Sequence, residues 1–167
     1  MLTTIFSFEK HVVITFIASF LWWLMVAGVI YLWIYRKKIS FRYLVNIFFA
    51  VLVAWLLSEV IKKFFPTQRP FVVSGAIPLT LTWPLDSSFP SAHSSSAFAL
   101  AIGLRKTDKR LFLIYFIFAV VVAIGRVVSH VHYFVDVLAG ALIGVCAVLI
   151  LDRLRVDKLF RRLSLDN

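Results

Sequence analysis

The chain has 167 residues, of which 62% are hydrophobic and only 16% are charged. Because soluble domains carry about one quarter charged residues, this composition excludes an ordinary soluble protein and indicates one integral membrane domain. The formal net charge of +10 does not indicate nucleic-acid binding, since the basic residues form short clusters between apolar segments and do not cover one soluble face.

Apolar segments separated by charged connections predict an all-α, polytopic membrane helix bundle with about five transmembrane helices. A helix needs about 20 apolar residues to cross the hydrocarbon core of a bilayer. The predicted helices cover residues 11–35, 43–61, 91–104, 111–128 and 133–151. The first segment is too long for the apolar part of a signal peptide, so we expect it to remain in the protein.

The basic residues predict the orientation of the chain. If five helices alternate, thirteen of the eighteen Lys and Arg residues fall on one side of the membrane. The positive-inside rule then places the N-terminus outside and the C-terminus inside. We treat residues 1–167 as one domain, with a motif-bearing core at about 58–151 and a basic tail at 152–167. The tail is expected to lie on an anionic inner leaflet.

Three polar clusters fall on the outer side, each at a predicted helix end. The first follows the second helix and opens a proline-rich connection, residues 62–90, that is predicted to be irregular. The cluster residues are Lys62 and Arg69 in KKFFPTQRP, Ser91 and His93 in FPSAHSSS, and Arg126, His132 and Asp136 in GRVVSHVHYFVD. Ionisable groups that converge at membrane helix ends indicate a functional site.

The cations of these clusters predict a phosphate site. Arg69 and Arg126 can each bind phosphate oxygens in a bidentate manner, and Lys62 adds a point charge. Ser91 can cap the third helix, and the free amides that follow it, beginning with Ala92, would then face a bound phosphate. Phosphoryl transfer depends mainly on positioning and on electrostatic stabilisation of this kind.

The two imidazoles are suited to a two-step transfer. His132 can attack phosphorus, and Asp136, one helical turn further on, can accept the other ring N–H and so fix the tautomer. His93 can protonate the leaving oxygen and then activate a water molecule. The pair His130 and His132 could also be zinc ligands, but no third ligand is evident in the sequence. We therefore expect no metal and no cofactor. His130 is expected at the rim of the site.

The three clusters together resemble the type-2 phosphatidic acid phosphatase superfamily, whose pattern is K-x6-R-P, P-S-x-H and R-x5-H-x3-D. The resemblance covers about 80 residues, from the second to the fifth predicted helix. It implies a phosphohistidine intermediate without a metal. The implied roles are phosphate binding for Lys62, Arg69, Ser91, Ala92 and Arg126, acid–base catalysis for His93, nucleophilic attack for His132, and support of that nucleophile for Asp136.

Two positions depart from the family pattern. Gly125 stands where a serine usually precedes the arginine, so a hydroxyl contact to phosphate is in doubt. Phe134 stands where proline is common after the His-Tyr pair. Neither change removes an acid, a base or a nucleophile, so we expect an active enzyme.

The length of the third helix predicts a lipid substrate. Residues 93–105 span about 18 Å, less than a bilayer core of about 30 Å, so either Arg105 and Lys106 snorkel a long way or His93 lies below the outer interface. The second arrangement would let a lipid headgroup enter the site sideways. Resemblance to small bacterial undecaprenyl-diphosphatases favours undecaprenyl diphosphate, with phosphatidic acid and phosphatidylglycerol phosphate as alternatives. An aromatic lining is expected from Phe64, Phe65, Phe71 and Phe89.

Other interpretations remain open for the same residues. Each polar residue taken alone could be structural: Glu59 can pair with Lys62 or Lys63, and His132 with Asp136. A transporter of anionic lipids would use the cations but not the histidines, and an inactive regulator would not need them either. We expect a multi-pass protein of the cytoplasmic membrane with its site on the outer side; the sequence leaves the oligomeric state open.

Overall fold

The computed structural model describes the backbone of residues 2–154 and the side chains of residues 11–154. All regular structure in this part of the chain is helical, which confirms the predicted all-α class. The helices are α1 (Leu2–Ile34), α2 (Phe41–Phe64), α3 (Pro70–Ser74), α4 (Ala92–Gly103), α5 (Lys109–Val128) and α6 (Phe134–Arg153). Most of the predicted basic tail, from residue 155 onward, lies outside the described residues.

Four helices, α1, α2, α5 and α6, are long and apolar enough to cross a membrane. The predicted third span, α4, has only 12 residues, or about 18 Å of helix, and does not by itself cross a core of about 30 Å. The multi-pass character is therefore established, whereas the count of five spans and the orientation of the termini stay predictions.

The short helix α4 lies at the centre of the bundle, in contact with α2, α5 and α6. Its residues Ala97, Ala99 and Leu100 are fully buried. Small side chains let the neighbouring backbones approach closely. A Cβ atom at Gly140 or Gly144 of α6 would overlap the backbone of α4, so these two glycines, one helical turn apart, let the two helices pack closely.

The connection between α2 and α4 folds over the N-terminal end of α4. It contains α3, which the proline-based prediction of an irregular segment missed. Pro70 begins α3 at a position where no amide hydrogen is needed, and Gly75 ends it in the left-handed region, with φ +70°. The amides of Phe71 and Leu79 donate to the carbonyls of His130 and Ser129, both at 3.0 Å. These bonds fix the connection against the α5–α6 turn.

Candidate active site

The three polar clusters surround one cavity of about 380 Å³ at the N-terminal end of α4. The predicted site residues that line it are Lys62, Arg69, Ala92, His93, Arg126 and His132. The two remaining predicted residues, Ser91 and Asp136, are almost completely buried and do not line the cavity. The predicted convergence of distant segments on one cavity is therefore present, whereas the catalytic and binding roles of these residues stay predictions.

Lys62 and Arg69 face the same carboxylate. The Lys62 ammonium, in the last turn of α2, donates to Asp86 Oδ2 at 2.5 Å and to Glu59 Oε1 at 2.8 Å. The Arg69 guanidinium, just before α3, donates to Asp86 Oδ1 at 2.8 Å. Burial raises the pKa of Asp86, but the two cations lower it by more, so that its pKa lies below the usual value.

Asp86 is a residue of the cavity that sequence reasoning missed. Within the described residues, no group of three His, Cys, Asp or Glu side chains is arranged to hold a metal ion. A signal was available, since Asp86 is an acidic residue close before the Pro90–Ser91 motif and on the side of the cations.

Ser91 caps α4 and leaves the next two amides open to the cavity. Its hydroxyl accepts a hydrogen bond from the Ser94 amide at 3.4 Å, and its side chain is fully buried. The amides of Ala92 and His93 find no acceptor among the described residues. The predicted cap is therefore present, but the Ser91 hydroxyl lies behind the cavity wall and not in it.

His132 lies in the turn between α5 and α6 with both ring nitrogens near charged groups. Its Nε2 atom is 3.4 Å from Arg69 Nη1, and its Nδ1 atom is 3.5 Å from Asp136 Oδ2 without a hydrogen bond. Burial lowers the pKa of His132 to about 4, although Asp136 opposes this shift. The imidazole is therefore neutral at pH 7.

Asp136 is held in place by two other donors. Its Oδ2 atom accepts hydrogen bonds from the Ser88 hydroxyl at 2.5 Å and from the Tyr133 amide at 2.8 Å. Sequence reasoning did not single out Ser88, which is fully buried. These bonds fix the carboxylate beside His132, so it can orient the ring as the imidazole charges.

Arg126 joins the cavity to α1. Its Nη1 atom donates to the Ala18 carbonyl at 2.9 Å, while its buried Nε atom has no partner among the described residues. The preceding Gly125 faces α1, and a Cβ atom there would lie 2.7 Å from Ile17 Cγ2. The first departure from the family pattern thus has a physical reason, because a side chain at this position would push α1 away from α5.

Phe134, the second departure, begins α6 and is 71% exposed on the outer surface of the bundle. It does not line the cavity. His130, predicted at the rim, is also exposed and does not line the cavity, although its carbonyl holds α3. Neither residue bears directly on the chemistry of the cavity.

An apolar groove of about 410 Å³ adjoins the cavity. The two share Trp23, Trp55, Ala92 and His93. The groove is lined further by Trp22, Phe48, Val51, Leu52 and Ser96. The expected phenylalanine lining was wrong: Phe64, Phe65, Phe71 and Phe89 line neither the cavity nor the groove. The aromatic side chains come instead from α1 and α2, within segments that were predicted only as membrane spans.

The chain matches the family model of the PAP2 superfamily over residues 43–159. Among curated proteins, it is 27% identical to the bacitracin transport permease protein BcrC of Bacillus licheniformis over 82% of this chain and 68% of that protein. It is 30% identical to an undecaprenyl-diphosphatase of Sulfolobus acidocaldarius over 73% of this chain and 58% of that protein.

Two solved structures share the fold. The structure of Aquifex aeolicus LpxE aligns with a TM-score of 0.70 and 28% identity, over 85% of this chain and 84% of that chain. A PAP2-type phosphatidylglycerolphosphate phosphatase from Bacillus subtilis aligns with a TM-score of 0.63 and 27% identity, over 87% of this chain and 75% of that chain. The chain therefore belongs to the PAP2 superfamily of membrane phosphatases, which confirms the resemblance drawn from the three clusters.

Proposed function

We propose that the protein hydrolyses a lipid phosphate or diphosphate through a phosphohistidine on His132, and that its substrate is undecaprenyl diphosphate. The observation that carries the proposal is one cavity that combines two histidines with three cations and continues into an apolar groove. A phosphate headgroup fits the charged part, and the adjoining hydrocarbon chain fits the groove.

In the first step, His132 Nε2 attacks phosphorus and the bond to the leaving oxygen breaks. The nearby Asp136 carboxylate favours the tautomer that carries its proton on Nδ1, which leaves the Nε2 lone pair free. His93, on the same cavity wall, enters this step as the imidazolium, a form that the bound anionic substrate favours, and gives its proton to the leaving oxygen. The product that departs is a lipid alcohol or, from a diphosphate, a lipid monophosphate.

In the second step, water releases the phosphate from His132. His93, now neutral, takes a proton from the water molecule, the oxygen bonds to phosphorus, and the nitrogen–phosphorus bond breaks. The charge that develops on the phosphoryl oxygens is stabilised by Lys62, Arg69 and Arg126, and by the open amides at the start of α4. Every group in this scheme belongs to the chain, so the reaction is expected to proceed without a metal.

The choice of undecaprenyl diphosphate is supported by the groove and by one relative. The three tryptophans at the groove give an aromatic surface that suits an isoprenoid chain, and the Sulfolobus relative is named an undecaprenyl-diphosphatase. The Bacillus subtilis neighbour, named a phosphatidylglycerolphosphate phosphatase, makes a glycerophospholipid the first alternative. We place the site on the outer side of the cytoplasmic membrane, in keeping with the distribution of basic residues.

Phosphate release by the purified protein in detergent and EDTA tests the proposal. Undecaprenyl diphosphate, phosphatidic acid and phosphatidylglycerol phosphate are compared side by side, with His132→Ala as the control. Release that needs His132 and is fastest with undecaprenyl diphosphate is the expected result. Strict dependence on magnesium would contradict the metal-free mechanism, and a faster rate with a glycerophospholipid would contradict the substrate.

Transport of an anionic lipid is the second candidate, because the relative BcrC is named a transport permease. Transport would use the cations and the groove but would leave the pairing of two histidines in one cavity unexplained. Proteoliposomes with labelled lipid in one leaflet separate the two functions. A transporter moves the label between leaflets without releasing phosphate.

A further inference from the structure

Four of the five N–H groups of Arg69 donate to oxygen atoms inside the protein, and the fifth faces the ring of His132. Nε donates to the Asp86 carbonyl at 3.0 Å, and Nη2 donates to Asp86 Oδ1 at 2.8 Å and to the Ser87 carbonyl at 3.2 Å. Nη1 donates to the Val131 carbonyl at 2.8 Å and faces His132 Nε2 at 3.4 Å. A guanidinium has five N–H donors, so Arg69 offers a phosphate only the N–H that faces His132 while these four bonds persist.

Lys62 is partly occupied in the same way. Its ammonium has three donors, of which one goes to Glu59 and one to Asp86. The two oxygens of the Asp86 carboxylate therefore lie on the two cations, as two oxygens of a bound phosphate would. Arg126, by contrast, has one bond to the Ala18 carbonyl and an unpartnered Nε.

We propose that Asp86 is an internal anion that occupies the phosphate position between Lys62 and Arg69 before substrate binds, and that the substrate phosphate has to replace it. This inference rests on the proposed function, because it takes the phosphate-binding role of the two cations as given. Asp86 thereby sets the affinity of the site for phosphate without taking part in bond breaking.

The surroundings of Asp86 allow its carboxylate to move away from Lys62 and Arg69. Its side chain is 46% exposed, and its hydrogen bonds in the described part of the chain all go to Lys62 and Arg69. It lies outside the helices, next to Leu85, which is 95% exposed. A carboxylate that swings out of this position returns to water, so its displacement costs only the two ion pairs.

Asp136, a buried carboxylate beside the cavity, shows what a fixed anion looks like. It is 2% exposed and is held by Ser88 and by the Tyr133 amide. Its displacement would leave a charge and two donors unpaired in the interior, which is strongly unfavourable. The fixed carboxylate of Asp136 thus contrasts with the carboxylate of Asp86, which a phosphate can replace.

Asp86 also reduces the repulsion among the cations before substrate binds. Three cations that face one cavity repel one another, and burial makes this repulsion stronger. A carboxylate between two of them keeps both side chains in place until the substrate arrives. Because the cost of removing Asp86 is the same for any oxyanion that replaces it, its loss should raise the affinity for each of them by the same factor.

Asp86→Asn tests the proposal with inorganic phosphate and orthovanadate as probes. The variant keeps the shape of the side chain but loses its charge. Binding is measured twice, as the rise in melting temperature with phosphate concentration and as inhibition of lipid hydrolysis by either anion. We expect both anions to bind roughly tenfold more tightly than to the wild-type protein, since charge-assisted hydrogen bonds of the carboxylate are removed.

An unchanged or weaker affinity for both anions would overturn the proposal and make Asp86 a brace that the cations need. Asp86→Ala, which removes every acceptor of the side chain, is a second variant in case the amide of asparagine distorts the site. It too is expected to bind both anions more tightly than the wild-type protein. The matched control is Asp108→Asn at the far end of the molecule, where the side chain caps α5. Asparagine also caps helices, so this variant should bind both anions as the wild-type protein does.

The melting-temperature measurement separates this inference from the proposed function. If the wild-type protein releases no phosphate from any lipid, the proposed function fails. Tighter phosphate binding by Asp86→Asn would still show that the carboxylate occupies an anion site. If lipid hydrolysis is present and the variant shows no gain, only the inference about Asp86 fails.

Discussion

The two ends of α4 differ in how their charges are balanced. At the far end, Arg105 and Lys106 both pair with Asp152 of α6, and the Tyr43 hydroxyl donates to the Gly103 carbonyl. The donors there have acceptors. At the cavity end, donors outnumber acceptors: the amides of Ala92 and His93 and the Nε of Arg126 lack partners in the described part of the chain.

This difference separates a structural use of charge from a functional one. Ion pairs that satisfy each other fix the position of a helix and have nothing left for a ligand. A surplus of buried donors is costly unless an acceptor arrives. The cavity end therefore holds the features of a site for an anion, whereas the far end anchors the central helix. Substitutions at the two ends should give different kinds of effect.

The largest effect is expected from His132→Ala. Without a nucleophile the two-step route is closed, and kcat should fall to below about 10⁻⁴ of the wild-type value. No phosphoenzyme should form when the variant is mixed with radiolabelled lipid and quenched in base, conditions under which phosphohistidine survives. Wild-type activity in this variant would show that the nucleophile is assigned wrongly.

Asp136→Asn should have a smaller but still large effect. The amide cannot stabilise the imidazolium that forms when His132 is phosphorylated, and it can hold the wrong tautomer, so kcat should fall by roughly 10²–10⁴-fold. Slow formation of the phosphoenzyme should remain detectable by the same labelling. A variant with full activity would make Asp136 a purely structural partner of Ser88 and Tyr133.

The sequence predicted which residues meet at the cavity better than it predicted their surroundings. The histidines and the cations were found because charged groups at the ends of apolar segments are costly and conspicuous. Asp86 and Ser88 were missed because each contributes through contacts with residues far away in the chain, and no local pattern marks such contacts. The tryptophans that line the groove were not predicted for the same reason, since the face that a membrane helix turns towards its neighbour depends on packing.

Arg126→Lys should lower kcat/KM by roughly 10²-fold, as expected for the loss of one positioned donor group in an anion site. Lysine keeps the charge but cannot hold the Ala18 carbonyl and present a planar pair of donors to phosphate at the same time. Steady-state kinetics with the lipid measure this effect. Lys63→Arg, at an exposed position in the last turn of α2, is the control and should change neither parameter.

The pH profile tests the environment of His132. Protonation removes the lone pair that attacks, so kcat/KM should fall as the pH falls through the pKa of His132 in the free enzyme. Because burial lowers that pKa to about 4, activity should persist well below pH 6.5. Asp136 opposes the effect of burial, so the acid limb should move to still lower pH in Asp136→Asn. An acid limb near pH 6.5 that is the same in both proteins would contradict this environment.

The smallest effect on catalysis is expected from Asp152→Asn at the far end of α4. The substitution weakens the ion pairs with Arg105 and Lys106, which are partly exposed, so the protein should lose about 1 kcal/mol of stability or less. Thermal unfolding in detergent measures this loss, while kcat and the affinity for inorganic phosphate should stay at wild-type values.

The same exchange of aspartate for asparagine is thus expected to have opposite outcomes at the two ends of one helix. Asp152 pairs with cations that do not line the cavity, so its loss only loosens α4. Asp86 pairs with cations that are proposed to bind substrate, so its loss frees them for phosphate. If Asp152→Asn also raised the affinity for phosphate, the gain at Asp86 would reflect the net charge of the protein and not the place that this carboxylate occupies.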